Sequence, residues 1–263
     1  MLVFIVPVKS ARISSSWEHF SKLFDRCMKS LCNQTSSDFR VIVACHERPA
    51  TDFTHPNIVY VEVDFPIPTW EVETDHSSRE RDKDRKLFMA LLEARRFKPT
   101  HIMFVDSDDC VSKRLVEYVS QNPQQNGWFL EQGYEYRDGE NLILRRKEKF
   151  HKKCGTSHII RHNLIDPANY IKLEDINHGF FYHQDLVEKM EDNGTPLKPF
   201  PFEGAIYVTE NGENYTNQKK LFVQRFRSSP IALLGLYMRR MYKSMSSRSL
   251  TNSIRDEFSL YPL

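Results

Sequence analysis

The stretch His101–Cys110 combines an apolar run with acids that can bind a cation. The run predicts a buried strand, and it stops at three carboxylates within four residues: Asp106, Asp108 and Asp109. If the extended conformation persists, Asp106 and Asp108 leave the same face, which suits one hard divalent cation and, through it, a phosphate. The alternative is an Asp-rich turn in which Asp109 or Ser112 caps the next helix. Capping explains one acid and leaves the others without a role.

Strands and helices alternate through the first half of the chain and place these acids at one edge of a sheet. Apolar runs predict strands over Leu2–Val8, Arg40–Cys45, Asn57–Val63 and the segment that ends at Asp106. Helical spacing predicts helices near Trp17–Leu31, after the cap-like serines Ser14–Ser16, and near Arg79–Phe97 and Lys113–Gln121. Such crossovers imply a mostly parallel, helix-covered sheet, which binds ligands beyond the carboxyl ends of its strands.

A different pattern follows the third helix. Asp138–Gly139 separates the strand-like runs Trp128–Tyr136 and Asn141–Leu144, which is a hairpin signal. We therefore predict that a mixed or antiparallel region joins the parallel half.

Composition limits the class of protein. The 263 residues form one large core or two small ones, and the net charge of +2, from 37 basic and 35 acidic residues, argues against a nucleic-acid partner. The five cysteines lack a C-x-x-C pair, which favours reduced thiols in the cytoplasm and gives no support for a zinc site. The apolar start Leu2–Val8 lacks a basic flank and is too short for a signal peptide or a membrane span.

The residues from about Leu2 to Thr216 resemble the GT-A fold of nucleotide-sugar glycosyltransferases, closest to the family 2 pattern. The likeness is carried by the first strand Val3-Phe-Ile-Val-Pro7, two further β-α steps, a basic helix, and a strand that ends in Asp106-Ser107-Asp108. The resemblance implies that Asp106 and Asp108 hold magnesium or manganese, which bridges the two phosphates of the donor. It also implies that the loop with Pro7, Lys9 and Arg12 contacts the base and that Glu47 lies near the nucleoside. A UDP-sugar is favoured over a GDP-sugar as the donor.

The helix before the acids carries two candidate phosphate ligands. Lys83 and Lys86 are three residues apart and share a helical face, so one or both can point toward the same phosphates. The alternative is a solvated helix start, in which Glu80 pairs with Lys83 or Asp82 pairs with Lys86.

The second half is expected to supply the acceptor site. The turn Gly155-Thr156-Ser157, before a strand-like Ile159-Ile160, resembles the segment that covers the donor sugar in related enzymes, and its small residues allow close approach of the backbone. A basic run can attract an anionic acceptor or membrane phosphate, although a solvated face is the commoner role of such runs. Its members are Arg145, Arg146, Lys147, Lys149, Lys152 and Lys153.

Two positions depart from the family pattern. Where family 2 members carry Glu-Asp at a helix start, with the aspartate as catalytic base, this chain has Tyr182-His-Gln-Asp-Leu186, so His183 and Asp185 are the candidate bases. Glu174-Asp175 is the reserve acidic pair. Where relatives often place a histidine that completes the metal site, Asn211 stands here, which leaves the third ligand open.

The predicted organisation is one α/β domain over residues 1–224, with a donor half of about 1–112 and an acceptor half of about 113–224, followed by a helical tail over 225–263. An apolar stripe in the tail, Leu234 to Met245, is expected to pack on the domain, with a membrane surface or a partner chain as alternatives.

The predicted function is metal-dependent transfer of a sugar, with inversion, from a nucleoside diphosphate to a saccharide or lipid-linked acceptor. The protein is expected in the cytoplasm or at the cytoplasmic face of the membrane. The alternatives are a degenerate GT-A domain that only binds the nucleotide sugar and, less favoured, a haloacid-dehalogenase-type phosphatase, which carries its Asp-x-Asp after the first strand.

Overall fold

A computed structural model describes residues 1–68, 76–165, 183–213 and 247–263, and it contains twelve strands and five α-helices within those ranges. The strands are β1 (Leu2–Pro7), β2 (Phe39–Cys45), β3 (Ile58–Glu62), β4 (His101–Phe104), β5 (Cys110–Val111), β6 (Gly127–Phe129), β7 (Gly133–Arg137), β8 (Leu142–Arg146), β9 (His158–Arg161), β10 (Lys198–Pro199), β11 (Ala205–Thr209) and β12 (Ser247–Ser249). The helices are α1 (Trp17–Cys32), α2 (His76–Ala94), α3 (Leu115–Gln121), α4 (Leu186–Asp192) and α5 (Asn252–Phe258).

The larger sheet has the strand order β10-β6-β9-β4-β1-β2-β3. Strands β3, β2, β1 and β4 run parallel, while β9 runs antiparallel to both β4 and β6. The prediction of an α/β fold with a mostly parallel, helix-covered sheet is confirmed.

Strand β1 is buried on both faces, and its side chains alternate between two hydrophobic clusters. Phe4 and Val6 belong to the cluster that includes residues of α1, whereas Val3 and Ile5 pack with Leu87 and other residues of α2. This alternation follows from the two-residue period of a strand. Helix α1 begins where the sequence predicts, because the Ser16 hydroxyl accepts a hydrogen bond from the His19 amide (3.3 Å) and satisfies a free N–H of the first turn.

The smaller sheet has the order β12-β8-β7-β11-β5. The predicted hairpin is confirmed: β7 and β8 are antiparallel, and Gly139 between them has a φ of +80°, a conformation that favours glycine. Since β4 lies in the larger sheet and β5 in the smaller one, the acidic segment between these strands connects the two sheets.

The described part of the predicted tail completes the smaller sheet. β12 pairs with β8, and Ile254 and Phe258 of α5 pack with Tyr134 and Tyr136 of β7. The apolar stripe from Leu234 to Met245 lies outside the described residues. None of the helices that the structure describes has both the length and the apolar character needed to cross a bilayer.

The capping prediction for the helix after the acids is wrong. Helix α3 begins at Leu115 with Arg114 at its N-cap, and no side chain makes the capping bond. Ser112 instead accepts a hydrogen bond from the Arg114 amide at 3.2 Å, while Asp109 points elsewhere.

Candidate active site

The three acids lie on a turn at the carboxyl end of β4. The strand ends at Phe104, residues 107–108 form a turn, and the Asp109 amide donates to the Asp106 carbonyl (3.1 Å). The expectation that the extended conformation persists through Asp108 is therefore wrong. The charges of the two acids still interact, because burial, followed by the charge of Asp106, raises the pKa of Asp108.

Asp109 is a structural member of the acidic group. Its carboxylate is buried and accepts hydrogen bonds from the Thr156 hydroxyl (2.6 Å) and the Val208 amide (3.0 Å). Burial, followed by the charges of the two other acids, raises its pKa well above the usual value. The Thr156 hydroxyl also accepts the Asp106 amide (2.9 Å). Thr156 and Asp109 thus fix the turn that presents Asp106.

Lys83 reaches Asp106 from α2. Its ammonium lies 2.5 Å from Asp106 Oδ1, and both side chains keep contact with solvent. Burial raises the pKa of Asp106, but the charge and hydrogen bond of Lys83 outweigh it, so the pKa is lowered overall. Lys83 is therefore a lysine of this helix that contacts the acids, as the sequence predicts for one or both of the candidates.

Lys86 points into a different environment. It is 1% exposed and pairs with Asp82 (2.6 Å), whose other oxygen lies 3.0 Å from His46 Nε2. Of the two candidate lysines, Lys83 contacts the acids and Lys86 does not. The alternative pairing of Lys86 with Asp82 is present, but the pair is buried rather than solvated.

Asn211 contacts the second acid. Its Nδ2 donates to Asp108 Oδ2 (2.7 Å), and its Oδ1 accepts the Glu213 amide (3.0 Å). Because the backbone N–H can only donate, these two bonds place the amide nitrogen of Asn211 toward Asp108. Asn211 thus lies beside the acids, where the sequence predicts a substitute for the family histidine.

The first loop is held by two glutamates. Glu47 accepts hydrogen bonds from the Ser10 hydroxyl (2.8 Å) and from the Ala11 amide. Lys9 forms an ion pair with Glu213 and donates to its carbonyl (3.0 Å). The Lys9 charge also lowers the pKa of Asp108, against the stronger effects of burial and of Asp106. The loop and Glu47 are therefore in contact, as expected if both belong to one nucleotide site. Glu213 also contacts this loop, and sequence reasoning missed it.

The Arg12 side chain is exposed at the end of this loop, and Ser107 is buried within the acidic turn. Their proposed contacts with the nucleotide stay predictions.

A cavity of about 30 Å³ lies against Asp106. Gly155 forms part of its wall, and a Cβ at that position would come 2.7 Å from Asp106 Oδ2. The backbone there approaches the Asp106 carboxylate closely, and its predicted approach to a ligand stays a prediction. The cavity is lined by Pro7, Lys83, Leu87, Phe104, Val105, Asp106, Gly155, His158, His183 and Leu186.

His183 and Asp185 differ in position. His183 lines the cavity, whereas Asp185 is exposed at the N-cap of α4 and makes no capping bond with its side chain. Burial lowers the pKa of His183, although the charge of Asp106 partly opposes this. A neutral imidazole beside Asp106 can accept a proton near pH 7. The reserve pair Glu174 and Asp175 lies outside the described residues.

Ser157 and the basic run, both candidate contact sites, bond to other residues of the protein. Ser157 is buried and donates its hydroxyl hydrogen to the Cys154 carbonyl (2.6 Å). Within the basic run, Arg145 pairs with Glu203 (2.5 Å), Arg146 with Glu135 (2.6 Å), and Lys152 with Glu188. These ion pairs favour the solvated-face interpretation of the run.

The residues present fit a divalent metal that takes part of its coordination from the protein and the rest from water and a bound phosphate. No group of three or more His, Cys, Asp or Glu ligands occurs among the described residues, so Asp106 and Asp108 would supply two oxygens. The two carboxylates interact, because the charge of Asp106 is, after burial, the second cause that raises the pKa of Asp108. Magnesium characteristically binds one or two carboxylates and takes its other ligands from water and phosphate, which matches this donor set.

His158 is a cavity residue that sequence reasoning missed. The available signal was its place directly after the Gly-Thr-Ser turn and at the start of β9.

Comparisons with known proteins give distant structural likenesses. No protein-family model matches the chain, and no curated protein does. The chain is similar to residues 1–349 of S. aureus TarS, with 15% identity over 79% of this chain and 60% of that chain, and a TM-score of 0.45. The same fragment in complex with UDP-GlcNAc matches with 12% identity over 80% of this chain and 58% of that chain, and a TM-score of 0.45. Francisella tularensis 2-C-methyl-D-erythritol 4-phosphate cytidylyltransferase (IspD) matches with 14% identity over 86% of this chain and 98% of that chain, and a TM-score of 0.42.

The chain thus spans about 60% of the TarS fragment that it matches. These likenesses concern the fold and assign no residue roles.

Proposed function

We propose that this protein is a metal-dependent glycosyltransferase that moves a sugar from a nucleoside diphosphate, UDP in preference to GDP, to a saccharide or lipid-linked acceptor. The observation that carries the proposal is the placement of Asp106 and Asp108 at the carboxyl end of the central parallel strand β4. Lys83 contacts the first acid and Asn211 the second. Ligands of open α/β sheets bind at this edge.

The reaction requires groups that offset the negative charge of the leaving diphosphate, and this site can supply them. Cleavage of a sugar–phosphate bond leaves a diphosphate, so groups that face its oxygens must offset growing negative charge. A magnesium or manganese ion held by Asp106 and Asp108 would supply Lewis-acid stabilisation of that leaving group. Lys83 adds a fixed positive charge at the same place, and Lys9 lies on the loop proposed to hold the nucleotide. The missing side chain of Gly155 leaves room for the Asp106 carboxylate, which a Cβ there would displace.

The proton of the acceptor hydroxyl needs a base. His183 is the better placed of the two candidates, because it lines the cavity against Asp106 and burial lowers its pKa. Asp185 would have to reach an acceptor from the exposed start of α4. Attack on the face opposite the leaving group, with inversion, is the stereochemistry that we propose for this single base.

Calorimetric titration with UDP in the presence and absence of Mn²⁺ tests the proposal. We expect wild type to bind UDP tightly only with the metal, and Asp108→Ala to lose that dependence. Asp192→Ala is the matched control, because Asp192 is an exposed aspartate at the end of α4 and does not line the cavity beside Asp106. UDP affinity that is equal with and without Mn²⁺ in wild type, or unchanged in a folded Asp108→Ala, would contradict the metal assignment.

The Lys83–Asp106 pair favours a second candidate, a module that binds nucleotide sugars without a metal. In that case the ammonium itself would be the cation next to Asp106. Release of UDP from a UDP-sugar, with water or an added saccharide as acceptor, separates the two functions. Binding of the UDP-sugar with no UDP release under either condition would favour the module.

A further inference from the structure

Hydrogen bonds around His158 fix which ring nitrogen carries its hydrogen. Ser157 Oγ lies 2.6 Å from the Cys154 carbonyl, and a carbonyl can only accept, so the hydroxyl hydrogen points there. The same oxygen lies 3.1 Å from His158 Nδ1. It must therefore accept at this second contact, and Nδ1 is the donor. Burial, as the main cause, lowers the pKa of His158 well below its usual value, so the ring is neutral at pH 7.

The other ring nitrogen, Nε2, is then a hydrogen-bond acceptor. It is buried and has no hydrogen-bond partner among the residues that the structure describes, and His158 as a whole is 2% exposed. Buried polar atoms in native proteins nearly always have a protein, water or ligand partner. His158 lines the cavity beside Asp106, so a group bound in that cavity can supply the missing donor.

The size and walls of the cavity limit the occupant. A volume of about 30 Å³ accepts one water-sized group and excludes a whole sugar ring. The polar wall combines the ammonium of Lys83 and the ring of His183 with acceptors on Asp106 and His158, while Leu87 and Phe104 are among the apolar residues. A hydroxyl group matches this wall, since it donates one hydrogen bond and accepts another.

We propose that this cavity binds one hydroxyl group of the donor sugar, and that His158 Nε2 accepts its hydrogen bond. The inference rests on the proposed function, because it takes the ligand beside Asp106 to be a nucleotide sugar. His158 is then a specificity residue, which selects sugars that carry a hydroxyl at this point.

Calorimetry with two probes tests the contact. UDP and the UDP-sugar that binds best among UDP-glucose, UDP-galactose and UDP-N-acetylglucosamine are titrated with Mn²⁺ present. We expect His158→Phe to weaken UDP-sugar binding about tenfold and to leave UDP binding unchanged, because one hydrogen bond to the sugar is lost. His158→Gln, which can restore an acceptor, should recover part of the loss. His101→Phe is the matched control: this buried histidine lies on the neighbouring strand β4 and bonds the Gln125 carbonyl through Nε2 (2.9 Å).

Nitrogen-15 NMR of the histidine rings provides a measurement on wild type that does not depend on a variant. We expect His158, assigned through its side-chain carbons, to carry its hydrogen on Nδ1 at pH 7, and its Nε2 resonance to shift when the UDP-sugar, but not UDP, is added.

A hydrogen on Nε2 overturns the inference, and so does an unchanged UDP-sugar affinity in folded His158→Phe, which would mean that a water occupies the cavity. Neither result affects the proposed function. If wild type binds neither UDP nor any of the sugars, the proposed function fails and the inference fails with it.

Discussion

Lys83 and Asp106 form an ion pair beside the cavity that both residues line, with 2.5 Å between Nζ and Oδ1. The pair joins α2 to the carboxyl end of β4, the strand next to β1 in the parallel part of the sheet. Lys83 lowers the pKa of Asp106, whereas burial, followed by the charge of Asp106, raises the pKa of Asp108. A bound diphosphate would therefore meet a site in which one positive charge is already in place.

Replacement of Lys83 by Met should impair catalysis more than stability. If the ammonium offsets charge on the leaving diphosphate, we expect kcat for UDP release from a UDP-sugar to fall by about 10²- to 10³-fold, the effect typical of a lost oxyanion donor. The free energy of unfolding should change little, because the pair is partly exposed and such pairs contribute at most about 1 kcal/mol. UDP release and denaturant unfolding measure the two quantities.

Lys86→Met, three residues further along α2, is the matched control. It leaves Asp82 buried with His46 as its remaining partner among the described residues, so we expect a loss of about 3 to 5 kcal/mol in the free energy of unfolding. The folded fraction should keep its UDP release rate. Equal rates for Lys83→Met and wild type would remove Lys83 from the catalytic group.

His183→Ala should abolish most sugar transfer without preventing donor binding. A positioned general base contributes about 10²- to 10⁴-fold in rate, so we expect a loss of that order in kcat, with an unchanged Kd for UDP in the presence of Mn²⁺. Asp185→Ala is the comparison, and its exposed position leads us to expect a smaller loss. The opposite order of effects would return the base to Asp185, the residue that the family pattern favours.

The pH profile of kcat gives a second test of His183. Burial lowers its folded-state pKa below the usual 6.5, so the neutral, proton-accepting form persists to lower pH than in an exposed histidine. We expect the rate to stay level as pH falls to 6.5 and to drop only below it, and this limb should be absent from the residual activity of His183→Ala. A limb centred above 6.5 contradicts the assignment.

Asn211→His should strengthen metal binding. The Asn211 amide lies 2.7 Å from Asp108 Oδ2, so a ring nitrogen at this position can join the two carboxylates as a third ligand. We expect about tenfold tighter Mn²⁺ binding by calorimetry without nucleotide, the lower end of the effects seen for metal-site partners. Asn122→His, at the end of α3, serves as a control for the mutation itself. Unchanged Mn²⁺ affinity would show that Asn211 is not at a ligand position.

Gly155→Ala should weaken metal-dependent UDP binding. The added Cβ would lie 2.7 Å from Asp106 Oδ2, so the carboxylate has to move from its place beside Lys83. Gly139→Ala provides the contrast: it meets no atom within 4 Å but has a φ of +80°, so it should lower stability and leave UDP affinity intact. If the two variants show the same UDP affinity, Asp106 tolerates the displacement and its precise position is not required.

The regular elements were predictable from sequence because their signals are local. Apolar runs marked β1 and β2, helical spacing and the serine cap marked α1, and Asp138–Gly139 marked the β7–β8 hairpin. The position of Asp106 just beyond a buried strand was visible for the same reason, and parallel topology placed it at the ligand-binding edge.

Tertiary structure decided which side chains meet. Lys83 and Lys86 share a helical face in sequence terms, but Asp106 attracts the first and Asp82 buries the second, and no local pattern distinguishes them. The contact between Asp108 and Asn211 spans 103 residues, and that between Lys9 and Glu213 spans 204. The cavity that His158 lines likewise exists only after β9 and α2 come together around β4. The sequence by itself determined the elements and the acids at the end of β4, because local periodicity and turn chemistry encode them. Only the folded chain decided the partners of each charge, because those depend on contacts between distant segments.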